Sequence, residues 1–494
     1  MRYGFAIDQR TCIGCHACTV ACKTEHEVPL GQFRTWVKYV EKGEFPATTR
    51  DMAIMRCNHC TDAPCVAICP TKSLFKREDG IVDFDNERCI GCKSCMQACP
   101  YDALYIDEDT HTAAKCNFCA HRVDSGLEPA CVVVCPTESI WVGDLDDPQS
   151  GISQLINSNP IMVRSPEQNT GPNVFYLGAD QSALDPLAAP VDDTYIWAEP
   201  DAHRAEVSAQ LRTDTSPAAP RTTYNTAHPR PWGWRVTTYL WTKGVAAGAL
   251  LVAAIAGLIG RDLGVVGTVV APAVALVFAA ITGVLLVADL KRPERFLYIF
   301  LKPNPTSWLF WGAVALAAFS GLASLWLLAG IAVETGNLAA DSPLLTLLHW
   351  LALPAAAMAA GYTGFLFGQA EGRDLWQSPL LFWHLQVQAL MVGAGALALA
   401  ALFTDVDREL IGRALVLGTV GHVLMLALEY AGKHPTRNAA AAAHMITHGR
   451  YAPMFWGGSL GLSALAAAVS MVTWNGSFWA AAVVAGLIVQ VSLL

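Results

Sequence analysis

The chain has 494 residues, 53% of them hydrophobic and only 15% charged, with a formal net charge of −9. That length points to two or three domains, and that composition leans toward a membrane protein. The negative charge, with no basic arm and no aromatic–basic stripe, argues against nucleic acid as a partner.

The first residues, MRYGFAIDQRTC, contain neither the apolar run of a signal peptide nor a twin arginine, so a reducing compartment is expected for the cysteines. All sixteen of these fall between positions 12 and 135, in four quartets with none left over. They are Cys12, Cys15, Cys18 and Cys22; Cys57, Cys60, Cys65 and Cys69; Cys89, Cys92, Cys95 and Cys99; and Cys116, Cys119, Cys131 and Cys135. Pro70, Pro100 and Pro136 follow the last cysteine of quartets two to four. The spacing C-x2-C-x2-C-x3-C, present in quartets one and three, is the bacterial ferredoxin ligand run, whose fourth cysteine serves the neighbouring cluster. Paired C-x2-C motifs alone would also suit zinc, but the full run does not. A disulfide framework fits neither the spacing nor the missing export signal. Sixteen thiolates therefore predict four [4Fe–4S] clusters, with these cysteines as iron ligands, which makes one-electron transfer the chemistry of this half. The spacing shows that ligands cross between quartets, not which quartets pair.

Within residues 1–150 the pattern predicts an α+β ferredoxin-like domain of short strands, cluster loops and short helices. Ile81–Asp85 alternates as a strand before the third quartet. Gly14 and Gly91 sit inside ligand loops, where the missing Cβ lets backbone N–H groups approach sulfur. His16, His59 and His121 lie near ligands and are expected at the surface or in hydrogen bonds, because the cysteines suffice.

Residues 151–235, rich in Pro, Ala, Asp and Thr, read as an extended linker. Its aromatic islands, Phe175-Tyr176 and Tyr195-Ile196-Trp197, are candidates for packing on the cluster domain or for docking a partner.

From 236 to 494 the chain reads as an all-α bundle of eight transmembrane helices, near 239–260, 264–288, 307–332, 344–369, 379–403, 411–431, 452–473 and 477–494. A buried soluble core would not need so many charge-free spans. Trp241, Trp308, Trp376, Trp456 and Trp474 fall near helix ends, as an interfacial belt requires. The loops after helices two, four and six carry Lys291, Arg292, Arg295, Lys302, Arg373, Lys433, Arg437 and Arg450. The opposite loops carry mainly acidic residues. The positive-inside rule then predicts the inner membrane with the iron–sulfur domain facing the cytoplasm.

Ionisable residues inside a bilayer are costly and point to function. Lys243, Asp289, His384 and Gln388 are the candidates for holding a quinone, which needs hydrogen bonds to two carbonyls and a source of two protons. His422 and Glu429 form the fallback set. The structural alternatives are an ion pair of Asp289 with Arg292 or Arg295 and a snorkelling Lys243. A haem is not expected: His384 and His422 are on consecutive antiparallel helices, but His422 should lie about four residues deeper, roughly 6 Å.

The four quartets, with eleven residues between Cys119 and Cys131, resemble the electron-transfer subunit of complex iron–sulfur molybdoenzymes such as dimethyl sulfoxide, polysulfide and tetrathionate reductases. The membrane half, with Asp289-Leu-Lys-Arg-Pro-Glu-Arg-Phe296 and Pro303-Asn-Pro-Thr-Ser307, is similar to the NrfD or polysulfide-reductase membrane subunit, a quinone-reactive anchor without haem. This chain joins the two in one polypeptide. The resemblance implies that quartets one and four share two clusters, and quartets two and three the other two. Cys12, Cys15 and Cys18 would be completed by Cys135; Cys116, Cys119 and Cys131 by Cys22; Cys57, Cys60 and Cys65 by Cys99; and Cys89, Cys92 and Cys95 by Cys69.

The expected function is electron transfer between a separate molybdenum- or tungsten-pterin catalytic subunit and the quinone pool. A redox-driven ion-translocating module is the alternative, and a tethered ferredoxin without quinone chemistry the plainer one.

Overall fold

The computed structural model describes residues 1–189, 218–226, 228, 231–404, 406–475 and 479–493; the Tyr195–Trp197 island lies outside them. The chain divides into two compact units. The first comprises Met1–Pro231 with the short segments Glu294–Thr306 and Gln369–Asp374. The second comprises Trp232–Pro293, Ser307–Gly368 and Leu375–Leu494.

In the first unit, Tyr3–Asp8 is a central strand with five consecutive buried residues. It pairs antiparallel with Ile140–Asp144 (Phe5 opposite Val142) and parallel with Val174–Leu177 (Phe5 opposite Val174). Ile161–Met162 closes that sheet on the far side. A long hairpin, Thr35–Glu44 with Ala47–Arg56, forms a second sheet joined by Arg221–Tyr224. Two small hairpins, Leu74–Lys76 with Val82–Phe84 and Leu104–Ile106 with Ala113–Lys115, fill the gaps between quartets two, three and four. Strand Val82–Phe84 thus precedes the third cysteine loop, the ferredoxin order.

The described part of 151–235 is not all extended linker. It supplies the helix Gly151–Ser158, two strands of the first sheet and one strand of the second. Tyr176 is fully buried and donates a hydrogen bond to the carbonyl of Ile54 at 3.0 Å. The strand Val174–Leu177 is only four residues long, and its parallel partner, Tyr3–Asp8, is distant in sequence, so local periodicity carried little of its signal.

In the second unit, seven helices among the described residues are long and apolar enough to cross a membrane: α1 (Trp234–Leu258), α2 (Val266–Asp289), α3 (Trp308–Glu334), α4 (Pro343–Gly368), α5 (Leu381–Phe403), α6 (Arg408–Ala431) and α7 (Met454–Met471). A shorter apolar helix, α8 (Trp479–Ser492), follows. Helix α1 packs on α2 and α4, and α3 bridges those two; α5 packs on α6 and α8, and α7 bridges those two. Two four-helix groups therefore result, joined along α1 and α5. At that seam a Cβ on Gly248 would collide with the carbonyl oxygen of Ala389, and one on Gly393 with the backbone of Gly248. Only glycine permits such backbone contact, the small-residue packing typical of helices in lipid.

Candidate electron-transfer and quinone sites

Each cysteine loop is shaped by a left-handed residue at the third position of its C-x2-C turn: Gly14 (φ 67°), His59 (φ 43°), Gly91 (φ 67°) and Phe118 (φ 64°). Glycine takes this conformation freely; His59 and Phe118 hold it inside a packed core, with rings edge to face at 5.2 Å. The turns aim peptide N–H groups at sulfur. Gly91 and Ala113 donate to Cys89 Sγ at 3.4 and 3.3 Å, Leu74 to Cys69 Sγ at 3.5 Å and Ser139 to Cys135 Sγ at 3.3 Å.

The sixteen thiols gather in four sets. Cys12, Cys15, Cys18 and Cys135 line one small cavity. Cys22 faces Cys116, Cys119 and Cys131. Cys57, Cys60 and Cys65 face Cys99. Cys89, Cys92 and Cys95 face Cys69. The sets form a row, because Cys18 neighbours Cys131, Cys116 neighbours Cys57, and Cys65 neighbours Cys95. Among the described residues no three or more His, Cys, Asp or Glu side chains converge tightly enough for a single metal ion. Four thiolates on one zinc at about 2.3 Å would lie roughly 3.8 Å apart, whereas a cubane holds its thiolates further apart.

The donor chemistry fits clusters. Burial pushes the thiols of Cys18, Cys92, Cys99 and Cys119 up to about 12. Cys135 moves down: burial opposes this, but hydrogen bonds from Ser139 and Thr137 outweigh it. Thiols buried in this way become thiolates when a cationic core replaces their protons.

Three polar residues missed in the sequence complete this half. His26 Nε2 lies 3.1 Å from Cys119 Sγ, one helical turn after Cys22. Lys115, fully buried, donates to the carbonyls of Val82 and Cys116. Arg56, also fully buried, ends the hairpin strand just before Cys57. Of the histidines singled out, His16 Nε2 meets Tyr39 Oη at 2.8 Å and His121 Nε2 meets Glu25 Oε1 at 2.7 Å. His59 is fully buried rather than at the surface, and its Nδ1 accepts from the N–H of Val82 at 3.1 Å.

The segments Glu294–Thr306 and Gln369–Asp374 clasp the Cys69 and Cys99 regions. Asn304 Nδ2 donates to the carbonyl of Cys69 at 2.7 Å, and Arg295 Nη1 to that of Cys89 at 3.0 Å. The N–H of Gly372 donates to the carbonyl of Ala98 at 3.1 Å, and Arg373 Nε donates to Gln97 Oε1 at 2.6 Å.

In the membrane half, the candidates form two groups rather than one pocket. Lys243 is buried between α1 and α4: its Nζ donates to Thr363 Oγ1 at 2.5 Å and stands 4.5 Å over the Tyr362 ring. Asp289 is half-buried at the end of α2. His384 instead meets the fallback residues. Its Nε2 lies 2.9 Å from His422 Nδ1 and 3.3 Å from Gln388 Nε2, and its Nδ1 lies 3.1 Å from Glu429 Oε2. Gln388 also lines a cavity of about 150 Å³ with Thr237, Trp241, Gly244 and Ala360.

The depth offset expected between His384 and His422 is therefore corrected. Gly418 lies against Met391 and Gly421 against Val387. Carried along the antiparallel pair, that register sets His384 level with about residue 424, between His422 and Glu429, which are two turns apart. One imidazole spans both.

Residues 222–494 match the family described as Polysulphide reductase, NrfD. The chain belongs to that family. Residues 49–145 match the 4Fe-4S dicluster domain. Relatives of the iron–sulfur half include a tetrathionate reductase subunit of Salmonella typhimurium, 47% identical over 190 residues (38% of this chain, 76% of the relative). A polysulfide reductase chain of Wolinella succinogenes is 40% identical over 179 residues, covering 36% of this chain and 94% of the relative. A putative dimethyl sulfoxide reductase iron–sulfur subunit of Halobacterium salinarum is 36% identical over 258 residues, covering 45% and 97%. The chain is thus a fusion of a ferredoxin-like iron–sulfur half with a multi-pass NrfD membrane half, and it is an electron-transfer subunit.

Proposed function

We propose that this chain carries electrons between a separate molybdenum- or tungsten-pterin catalytic subunit and quinone, ubiquinone or menaquinone, in the cytoplasmic membrane, as part of an oxidoreductase complex. Four [4Fe–4S] clusters would be held by the four sets headed by Cys12, Cys22, Cys57 and Cys69. A [4Fe–4S] cluster, when bound, takes up or releases one electron at a time. The row of sets supports a wire running from the Cys12 set to the Cys69 set. Asn304 and Arg295 hold the Cys69 set and lie on the connection that leads from α2 into α3. At the membrane end, an eight-helix bundle would receive the quinone. The observation that carries the quinone reading is buried His384 with half-buried Gln388 and Glu429, beside the cavity between α1 and α5. Gln388 would donate to a quinone carbonyl, and His384, backed by Glu429, would move the proton. The basic loops after helices two, four and six support a cytoplasmic iron–sulfur half.

The test is anaerobic purification of the complex, reduction of its iron–sulfur absorbance with dithionite, and addition of a water-soluble quinone. Rapid reoxidation and a co-purifying pterin protein are expected. Reoxidation by dyes but not by any quinone would leave only a tethered ferredoxin.

The second reading, redox-driven ion translocation, is favoured by the continuous Glu429–His384–His422 hydrogen-bonded chain. In proteoliposomes it requires proton uptake from the compartment opposite the iron–sulfur half during quinone turnover.

A further inference from the structure

Arg56 is wholly buried and close to the thiols, and among the described residues no carboxylate lies within ion-pair distance of it. Its Nη1 donates to Cys131 Sγ at 3.4 Å, and its guanidinium lies 4.3 Å from the Phe5 ring. Its Nε and Nη2 have no hydrogen-bond partner among the described residues. Lys115, another buried cation of this domain, is satisfied by two carbonyls. An uncompensated buried charge is among the costliest features a fold can hold, so its counter-charge must come from a group that belongs at the site. The neighbours available are sulfurs: Cys131 and Cys116 of one set, and Cys18 of the next.

We propose that Arg56 is a positioning residue for electron transfer: its guanidinium is the fixed counter-charge of the cluster held by Cys22, Cys116, Cys119 and Cys131, and it raises that cluster's reduction potential. When the cluster takes up one electron from a donor it gains one negative charge, and a fixed cation nearby stabilises that form over the oxidised one. Net charge, N–H···S bonds and burial are the levers that set such potentials. The cluster beside Cys18 feels the same charge more weakly. The proposal rests on the assignment of Cys22, Cys116, Cys119 and Cys131 to one cluster, which is tested separately by whether Cys22→Ser and Cys131→Ser perturb the same reduced-cluster signal.

The experiment is a potentiometric titration of the detergent-solubilised full chain, followed by the electron paramagnetic resonance of the reduced clusters. In Arg56→Gln one of the four steps should move to lower potential by at least about 59 mV, a tenfold change in the oxidised-to-reduced ratio for a one-electron couple. Arg56→Lys, which keeps the charge, should restore most of that shift. Four unchanged steps in Arg56→Gln would overturn the proposal, and so would an equal shift in both variants, which would mark lost packing rather than lost charge. Should Arg56→Gln fail to assemble its clusters, wild-type protein labelled with ¹⁵N-arginine decides. Nuclear–electron double resonance should then detect an arginine nitrogen coupled to one reduced cluster, and its absence would refute the assignment.

Discussion

His384 and His422 share a hydrogen bond of 2.9 Å between Nε2 and Nδ1, and the other nitrogen of His384 faces Glu429 at 3.1 Å. A carboxylate and two imidazoles thus form one chain inside the membrane half, and Gln388 joins it to the cavity between α1 and α5. Such a chain can pass a proton without water, since each imidazole can accept at one nitrogen and donate at the other.

His384→Ala should abolish quinone-linked turnover, and Glu429→Gln should slow it. Loss of one hydrogen bond to a charged group costs about 1.5–3 kcal/mol, so Glu429→Gln is expected to lose roughly 10- to 100-fold in rate. Iron–sulfur spectra and turnover with an artificial dye should survive in both. Lys243→Ala discriminates between the two polar groups. If it leaves quinone kinetics unchanged while His384→Ala is dead, the protons for the quinone come through the His384 group of α5 and α6, and the Lys243–Thr363 pair of α1 and α4 is structural.

Anaerobically purified protein should contain about sixteen iron and sixteen acid-labile sulfide per chain, four cubanes. The crossing of ligands is tested by pairs of substitutions. Cys69→Ser and Cys95→Ser should perturb the same reduced-cluster signal, and Cys99→Ser a different one. If Cys69→Ser instead perturbs the signal touched by Cys65→Ser, each quartet keeps its own cluster.

The glycine seam gives a packing test. Gly248→Ala drives a Cβ into a backbone carbonyl that cannot rotate away. Overpacking of this kind costs about 1–3 kcal/mol or more. It should lower the melting temperature in detergent and reduce the yield of monodisperse protein. Gly283→Ala, on α2 with nothing within 4 Å, should be neutral or mildly stabilising. Equal behaviour of the two variants would refute the α1–α5 contact.

Orientation is tested by reporters inserted after Gly449 and near Asp341. The first should report cytoplasm and the second the outer side, following the loop charges. A periplasmic signal from the Gly449 insertion would overturn both the orientation and the cytoplasmic partner.

The cysteine quartets, the boundary between the polar and apolar halves, and the apolar spans are all legible along the chain. Each is local: ligand spacing within one loop is fixed by turn geometry, and a span by the thickness of the bilayer. His384, Gln388, His422 and Glu429 were legible too, one at a time, because polar residues inside apolar helices stand out. What those residues meet was settled by helix packing. The register of α5 on α6 follows from where Gly418 and Gly421 let the helices touch, and a shift of one turn would separate His384 from His422. The strand Val174–Leu177 and the buried cation Arg56 were hidden for the same reason. A four-residue strand draws its stability from pairing with Tyr3–Asp8, about 170 residues away. Arg56 stands next to Cys57 in the chain, but it is buried only because the fold closes Phe5, Cys18 and Cys131 around it. Pairing and burial between distant segments have no period in the sequence, and both are set when the chain packs.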